Sequence, residues 1–288
     1  MNGETVEIAV CPVCDQAPSR VWRDDGKPTR YRRCLGCGLV YASPRASRAK
    51  RYAWLNQTFA VTESLRALTE ARRPALKREA QIIHAYVSGG RMLDVGCSLG
   101  ALFEFFPPPL WERWGVELSA SAADYAAQVS GAHVHVGTLA SADYPAQYFD
   151  LVTLVDTLYY LDDPAGELRE IRRVLKPGGV AAVETPGQAY ILWRNYGLVA
   201  RLLDGVWSRA ATDSSYIYWF TPWGLERLLR RCGLQPIGWQ VVPSPTRANR
   251  WMKVLSEIHF RSLQLGARLF PVYALTWAPK YLCVARRV

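Results

Sequence analysis

Apolar and polar positions along the chain divide it into segments of different period. Residues 71–87 (ARRPALKREAQIIHAYV) place apolar side chains at helical spacing and stop at Ser88-Gly89-Gly90. Arg91 to Val95 then reads as a short buried strand, followed by a turn (Gly96-Cys97-Ser98-Leu99-Gly100) and a helix predicted from Ala101. Trp114 to Glu117 and His133 to Val136 read as further strands, and Tyr281 to Ala285 as a last one. Between Arg250 and Leu269, Trp251, Leu255, Ile258, Leu265 and Leu269 form a helical stripe with Lys253, Arg261 and Arg268 interspersed. A strand, a glycine turn and a helix are the first unit of a nucleotide-binding α/β fold.

Composition narrows the picture. The 288 residues are 50% hydrophobic and 12% aromatic, enough to drive collapse, which excludes low-complexity disorder. No run approaches 18 uninterrupted apolar residues, so no membrane-spanning helix is predicted. The first residues, MNGETVEIAV, lack a basic start and apolar core, so no secretory signal and a cytoplasmic location are expected. In that reducing compartment cysteines serve metals more often than disulfides. The net charge of +10 is uneven: residues 1–60 carry +5, 61–185 carry −5 and 186–288 carry +10. Basic flanks suit an anionic partner such as nucleic acid, lipid or a phosphorylated substrate, but a solvated surface with an arginine-biased composition is the favoured account of them.

Cys11 and Cys14 form one C-x2-C pair, and Cys34 and Cys37 another after 19 intervening residues. Two such knuckles complete a tetrahedral thiolate shell, which predicts a structural Zn2+ site with no open coordination place. The expected zinc ribbon covers residues 1–45, with 46–90 as a helical linker and entry helix. Arg30, Arg32 and Arg33 beside the second knuckle raise the alternative of a nucleic-acid-binding ribbon. Cys97, Cys232 and Cys283 have no such partners and read as small buried hydrophobes.

Gly96 allows close approach of backbone to a ligand, and Gly100 allows tight packing of the predicted helix on the strand. Glu117 follows Gly96 by 21 residues, the interval at which a carboxylate meets both hydroxyls of a ribose. Gly96-Cys97-Ser98-Leu99-Gly100 also matches G-x-S-x-G, but His259 is the only histidine late enough to follow most candidate acids, and the turn lies on the first strand of the sheet. A nicotinamide-type G-x-G-x-x-G is spoiled by Ser98 and Ala101.

Met92 to Gly100 resembles the first motif of class I S-adenosylmethionine-dependent methyltransferases. Four later segments agree in order: Gly115 to Ser119, Phe149 to Asp156, Leu175 to Gly179, and Tyr218 to Thr221 with Leu225 to Gly233. The four-cysteine leader, ending in Cys37-Gly38-Leu39-Val40-Tyr41 and Ser43-Pro44-Arg45, is similar to that of a bacterial subgroup acting mostly on small molecules, sugars or glycan precursors. The resemblance implies a doubly wound, mostly parallel seven-stranded sheet over 91–288, with helical insertions at about 189–215 and 245–275. It implies S-adenosylmethionine as cofactor, with Asp94, Gly96, Cys97, Ser98 and Gly100 along the methionine and adenosine edge, Glu117 and Leu118 at the ribose, and Thr138 and Leu139 at adenine. Asp156 falls at the end of the strand beside the methyl donor; capping a helix is its other reading.

Methyl transfer from a sulfonium needs alignment and desolvation, and a base only where the acceptor loses a proton. Where this family often carries Glu-His, the chain has Tyr159-Tyr160 ahead of Leu161-Asp162-Asp163-Pro164, a departure that removes the histidine base. Tyr160 is the candidate catalytic residue, orienting an acceptor hydroxyl or meeting the sulfonium with its ring face; core packing is its other role. The expected partner is a small-molecule substrate, anionic or apolar, with RNA methylation and a non-catalytic binding scaffold as the alternatives. The stripe at Arg250–Leu269 is expected to pack on the parent domain; covering an apolar acceptor or lying on an anionic membrane are its other readings.

Overall fold

The computed structural model describes residues 6–7, 9–15, 18–23, 29–196, 216–243, 258, 260–266 and 271–288. Seven strands form its central sheet: β6 (Gly90–Val95), β7 (Trp111–Glu117), β8 (His133–Val136), β9 (Phe149–Leu154), β10 (Leu175–Pro186), β12 (Leu234–Val242) and β13 (Lys280–Arg287). Their spatial order is β12-β13-β10-β9-β6-β7-β8. The first five in sequence run parallel, while β12 and β13 pair antiparallel and β13 lies antiparallel to β10. This is the mostly parallel doubly wound sheet that the family resemblance implies. From β6 the chain steps outward through β7 to β8, then crosses back to β9 on the other side, so a switch point lies between β6 and β9. Open sheets of this kind bind ligands outside the carboxyl ends of the strands there.

The sequence encodes these strands as near-continuous apolar runs, because both faces are covered. Leu93, Leu151, Val152, Leu154, Ala181 and Val183 are all fully buried. Helix α2 (Glu63–His84) is capped by the Thr62 hydroxyl, which accepts from Leu65 N at 3.1 Å. Its buried stripe includes Leu76, Ala80 and Ile83. Helices α1 (Arg48–Thr58), α3 (Ala120–Ser130) and α4 (Pro164–Val174) precede it, follow β7 and follow β9 respectively. Asp163 caps α4, its carboxylate accepting from Gly166 N at 2.8 Å, with Pro164 in the first turn. Helix α5 spans Gln188–Tyr196, α6 Pro222–Arg231 and α7 Pro271–Trp277.

At the front of the chain, β1 (Val6–Glu7) pairs with β5 (Arg45–Ala46). Strands β2 (Ser19–Arg23), β3 (Tyr31–Cys34) and β4 (Val40–Ala42) form the ribbon's sheet. A fourth strand, β11 (Tyr218–Trp219), joins this sheet from far along the chain, Tyr218 opposite Tyr41 and Trp219 opposite Val40. The Trp219 ring meets Tyr31 edge-on at 4.8 Å. Gln188 Nε2 donates to Gly38 O at 3.0 Å and to Trp219 O at 2.7 Å, tying α5 to both.

Two local expectations change. The helix predicted from Ala101 is a five-residue 3-10 segment, Ala101–Phe105, which Pro107-Pro108-Pro109 follow at once. Gly100 makes room for α3 rather than for a strand: a Cβ there would stand 3.0 Å from Ala126 Cβ. Of the stripe between Arg250 and Leu269, Trp251, Lys253, Leu255, Arg268 and Leu269 lie outside the described residues, as does His259. Among those described, Ile258 and Leu265 are exposed and Leu263 is buried. Of the helical segment expected at about 189–215, residues up to 196 lie in α5, and 197–215 lie outside the described residues.

Candidate active site

The carboxyl ends of β6, β7 and β9, with α1 and α2 above them, enclose a cleft of about 950 Å³ counted to its open mouth. Gly96 opens the turn after β6 with φ +78°, and a Cβ on it would stand 2.5 Å from Thr157 Oγ1. The glycine is therefore required for the turn to nest against the loop after β9. Gly96 N donates to Val116 O at 2.8 Å, fastening the turn to β7.

Glu117 ends β7 with a carboxylate fixed by two backbone donors: Ser98 N at 2.9 Å on one oxygen and Ser119 N at 2.9 Å on the other. Burial pushes its carboxyl up, and those two N–H groups offset part of the rise. The group thus lines the cleft already oriented, with lone pairs left for a ligand's hydroxyls. Leu118, Gly137, Thr138 and Leu139 complete that wall.

At the other end stands Asp156, in a left-handed conformation (φ +57°) after β9. It does not cap a helix. Arg72 of α2 lies 2.6 Å from its Oδ2, Lys280 of β13 pairs with the same oxygen, and Tyr159 donates its hydroxyl to Oδ1 at 2.6 Å. Burial alone would raise this carboxyl, but the Arg72 and Lys280 charges hold it well below the usual carboxylate range. Behind it lie two further carboxylates, both fully buried. Glu184 sits 2.8 Å from Lys280 Nζ and 3.6 Å from Arg72, while among the described residues neither Glu79 oxygen has a hydrogen-bond partner. Burial and the Glu184 charge push the Glu79 carboxyl up to about 8, and burial raises Glu184 as well.

Tyr160 lines the cleft within a cluster of rings: Tyr159 at 4.6 Å, Tyr216 at 5.2 Å and Phe59 at 6.0 Å between centroids. Burial raises its phenol well above the ordinary value, so the hydroxyl keeps its proton at neutral pH.

The structure brings Gly96, Ser98, Glu117, Leu118, Thr138, Leu139, Asp156 and Tyr160 to one cleft. Asp94, Cys97 and Gly100 are not among its lining. The Asp94 carboxyl is buried beneath it, accepting from Thr153 Oγ1 at 2.7 Å, and burial pushes it up to about 7. Cys97 turns inward, where a Cβ on Gly115 would stand 2.8 Å from its sulfur. Gly100 borders a neighbouring polar cleft. Sequence reasoning missed Arg72, Tyr52, Phe59 and Glu167 in the walls, and Glu79, Glu184 and Lys280 behind them. A signal existed for two of these. Arg72 and Glu79 fall at helical spacing with Leu76 and Ile83, which puts charges on the buried stripe of α2.

The four ribbon cysteines have sulfurs all within 4.8 Å of one another, Cys11 and Cys37 at 3.5 Å. A tetrahedral zinc with bonds of about 2.3 Å separates its sulfurs by about 3.8 Å, so this donor set fits that ion. The Thr221 hydroxyl donates to Cys37 O at 3.4 Å, joining the second cysteine knuckle to the start of α6.

Residues 63–237 match the family described as methyltransferase domain. A ubiquinone biosynthesis O-methyltransferase of Aromatoleum aromaticum is 27% identical over 158 residues, which is 53% of this chain and 67% of that protein. One from Alkalilimnicola ehrlichii is 29% identical over 186 residues, 62% of this chain and 64% of the other. The chain thus spans about two thirds of the length of these relatives. Among solved structures, the 1,6-didemethyltoxoflavin N1-methyltransferase of Burkholderia thailandensis shares the fold with a TM-score of 0.54 at 16% identity, covering 94% of this chain and all of that one. Its structure holds S-adenosylhomocysteine and 1,6-didemethyltoxoflavin. The chain belongs to the methyltransferase-domain family, and is a class I S-adenosylmethionine-dependent methyltransferase.

Proposed function

We propose that this chain methylates a small-molecule acceptor (a sugar, glycan precursor or natural product) in the cleft between α1, α2 and the switch point. The observation that carries the proposal is the division of that cleft. One end has the oriented Glu117 carboxylate with Thr138 and Leu139; the other is walled by Tyr52, Leu55, Phe59, Tyr160 and Leu161. The first end fits a nucleoside, and the second fits an acceptor with apolar surface. The relatives named for ubiquinone biosynthesis, and the fold neighbour named for toxoflavin methylation, carry small-molecule names in support.

Glu117 would take the ribose hydroxyls, the Gly96–Ser98 turn the backbone of the methionine part, and Thr138 with Leu139 the adenine. When bound, S-adenosylmethionine supplies an electrophilic methyl group on a good leaving group. The chain supplies alignment: Tyr160 and Phe59 present ring faces to the reacting end, and the apolar wall excludes water. Asp156, held as an anion by Arg72 and Lys280, would fix the loop after β9 against α2 and β13. The ribbon, with Zn2+ on Cys11, Cys14, Cys34 and Cys37, would hold β4 and hence β11 in place. For RNA the ribbon offers less than its composition suggests, because Arg32 is already spent on Ser19 Oγ and Ser19 O, both at 2.9 Å.

Calorimetry with S-adenosylmethionine, followed by transfer of labelled methyl to a panel of phenols, hydroxy sugars, amines and a short RNA, tests the reading. Label in a small molecule is expected. Label in RNA alone, or no binding of the methyl donor, would refute it.

A further inference from the structure

Three carboxylates line the cleft, and two of them are committed. Glu117 accepts two backbone N–H bonds, and Asp156 is paired with Arg72 and Lys280 and accepts from Tyr159. The third, Glu167, sits in the first turn of α4, half-buried, in a wall shared with Tyr52 of α1 and with Tyr160 and Leu161. Among the described residues its carboxylate accepts no hydrogen bond and joins no ion pair. The cations nearby are engaged elsewhere: Arg48 lies 3.3 Å from Asp162 and over the Tyr52 ring, and Arg51 pairs with Asp162.

We propose that Glu167 is the general base of this enzyme, taking the proton from an acceptor hydroxyl held in the apolar half of the cleft. The proposal rests on the methyltransferase reading above. Among the described residues neither oxygen of Glu167 is engaged, whereas both oxygens of Asp156 already have partners and the Tyr160 phenol keeps its proton. The groups facing Glu167 are Asp163 and Glu170 from its own helix, with Arg48 and Tyr52 from α1. Burial, then the Glu170 and Asp163 charges, push its carboxyl up to about 7 against the opposing pull of Arg48. That places it near the pH at which a base is most effective.

In the step, the acceptor O–H bond breaks, its proton goes to the Glu167 carboxylate and its electron pair stays on oxygen. That pair forms the new bond to the methyl carbon as the carbon–sulfur pair returns to sulfur, and the proton leaves to water. A base of this strength suits an acceptor whose acidity lies within a few units of its own. Phenols, at about 10, qualify, and unactivated sugar hydroxyls do not. Glu167 thus selects phenolic or enolic acceptors from the classes proposed above.

Two measurements decide it. With S-adenosylhomocysteine added, carbon-detected NMR of Glu-labelled protein should show one carboxyl, absent from Glu167→Gln, that titrates near pH 7. A midpoint near 4 to 5 would overturn the assignment. With S-adenosylmethionine and catechol, the wild type should show kcat rising through pH 7. Glu167→Gln should lose about 100-fold or more in kcat while binding S-adenosylmethionine within twofold by calorimetry, and Glu167→Asp should recover part of the rate. Undiminished turnover by Glu167→Gln overturns the base, and a wild type inert to catechol but active on hydroxy sugars overturns the phenolic selection. Failure of the wild type to bind S-adenosylmethionine would instead sink the reading on which this one stands.

Discussion

The guanidinium of Arg72 stands 2.6 Å from the carboxylate of Asp156, joining the middle of α2 to the loop after β9 in the wall of the cleft. The pair is not isolated, because Lys280 binds the same carboxylate from β13 and Glu184 sits within reach of both cations. Removing one member leaves a buried charge without its partner, the case in which ion pairs matter most.

Asp156→Asn is therefore expected to lower stability by about 3 kcal/mol at pH 7, read from urea unfolding. The wild-type carboxyl is depressed in the folded state, so its contribution is fully present above the unfolded value of about 3.9 and is lost as pH falls toward the folded one. The deficit should accordingly persist at pH 5 and shrink only in stronger acid. A deficit that vanishes between pH 7 and 5 would contradict the geometry.

Glu79 has the opposite sign. Its carboxyl is raised to about 8, so the wild type loses stability as pH climbs from the unfolded value of about 4.3 toward 8, at a slope of up to about 1.4 kcal/mol per unit. Glu79→Gln keeps the shape and removes the titration. Its thermal midpoint should match wild type at pH 5 and exceed it at pH 8; a lower midpoint at both would show that Glu79 serves as a needed anion.

Glu117→Ala removes the acceptor of Ser98 N and Ser119 N at a position lining the cleft. Hydrogen bonds to a charged group are each worth about 1.5–3 kcal/mol, so calorimetry should show S-adenosylmethionine bound at least 10-fold more weakly by a folded protein. An unchanged affinity would move the ribose elsewhere.

Elemental analysis should find one zinc per chain, falling in Cys34→Ser. Stripping it should accelerate hydrogen exchange at residues 218–221 as well as in the ribbon, because Thr221 bonds to Cys37 O and β11 pairs with β4. Unaltered exchange at 218–221 would mean that β11 stands without the ion.

The sequence revealed the parts of the site that local chemistry dictates. The turn after β6, the acid ending β7 and the paired cysteines each depend on residues close in sequence, and each declares itself by spacing. Gly96 looks like a ligand-contact glycine in sequence; in space its missing Cβ is claimed by Thr157, 61 positions later. Arg72, Glu184 and Lys280 meet only because α2, β10 and β13 converge, and no spacing rule encodes that meeting. The 3-10 turn at Ala101 misleads for a local reason: helix-forming residues there are cut off by three prolines before a second turn can form. Glu167 reads as an ordinary first-turn acid of a helix, which it also is, and only the cleft shows its second face.

Strand β4 borrows its outer neighbour from residues 218 and 219, made long after it. During synthesis from the N-terminus, at about 5–20 residues per second, that edge stays unpaired for about 10 to 40 seconds. A bound metal could close the cysteine loops early, yet the strand beside them would keep bare N–H and C=O groups until Trp219 emerges. Such an edge invites pairing with another nascent copy. The interval between the ribbon and its last strand is thus a window in which crowding on the ribosome matters, and early capture of metal would leave Val40–Ala42 as the segment for a chaperone to shield.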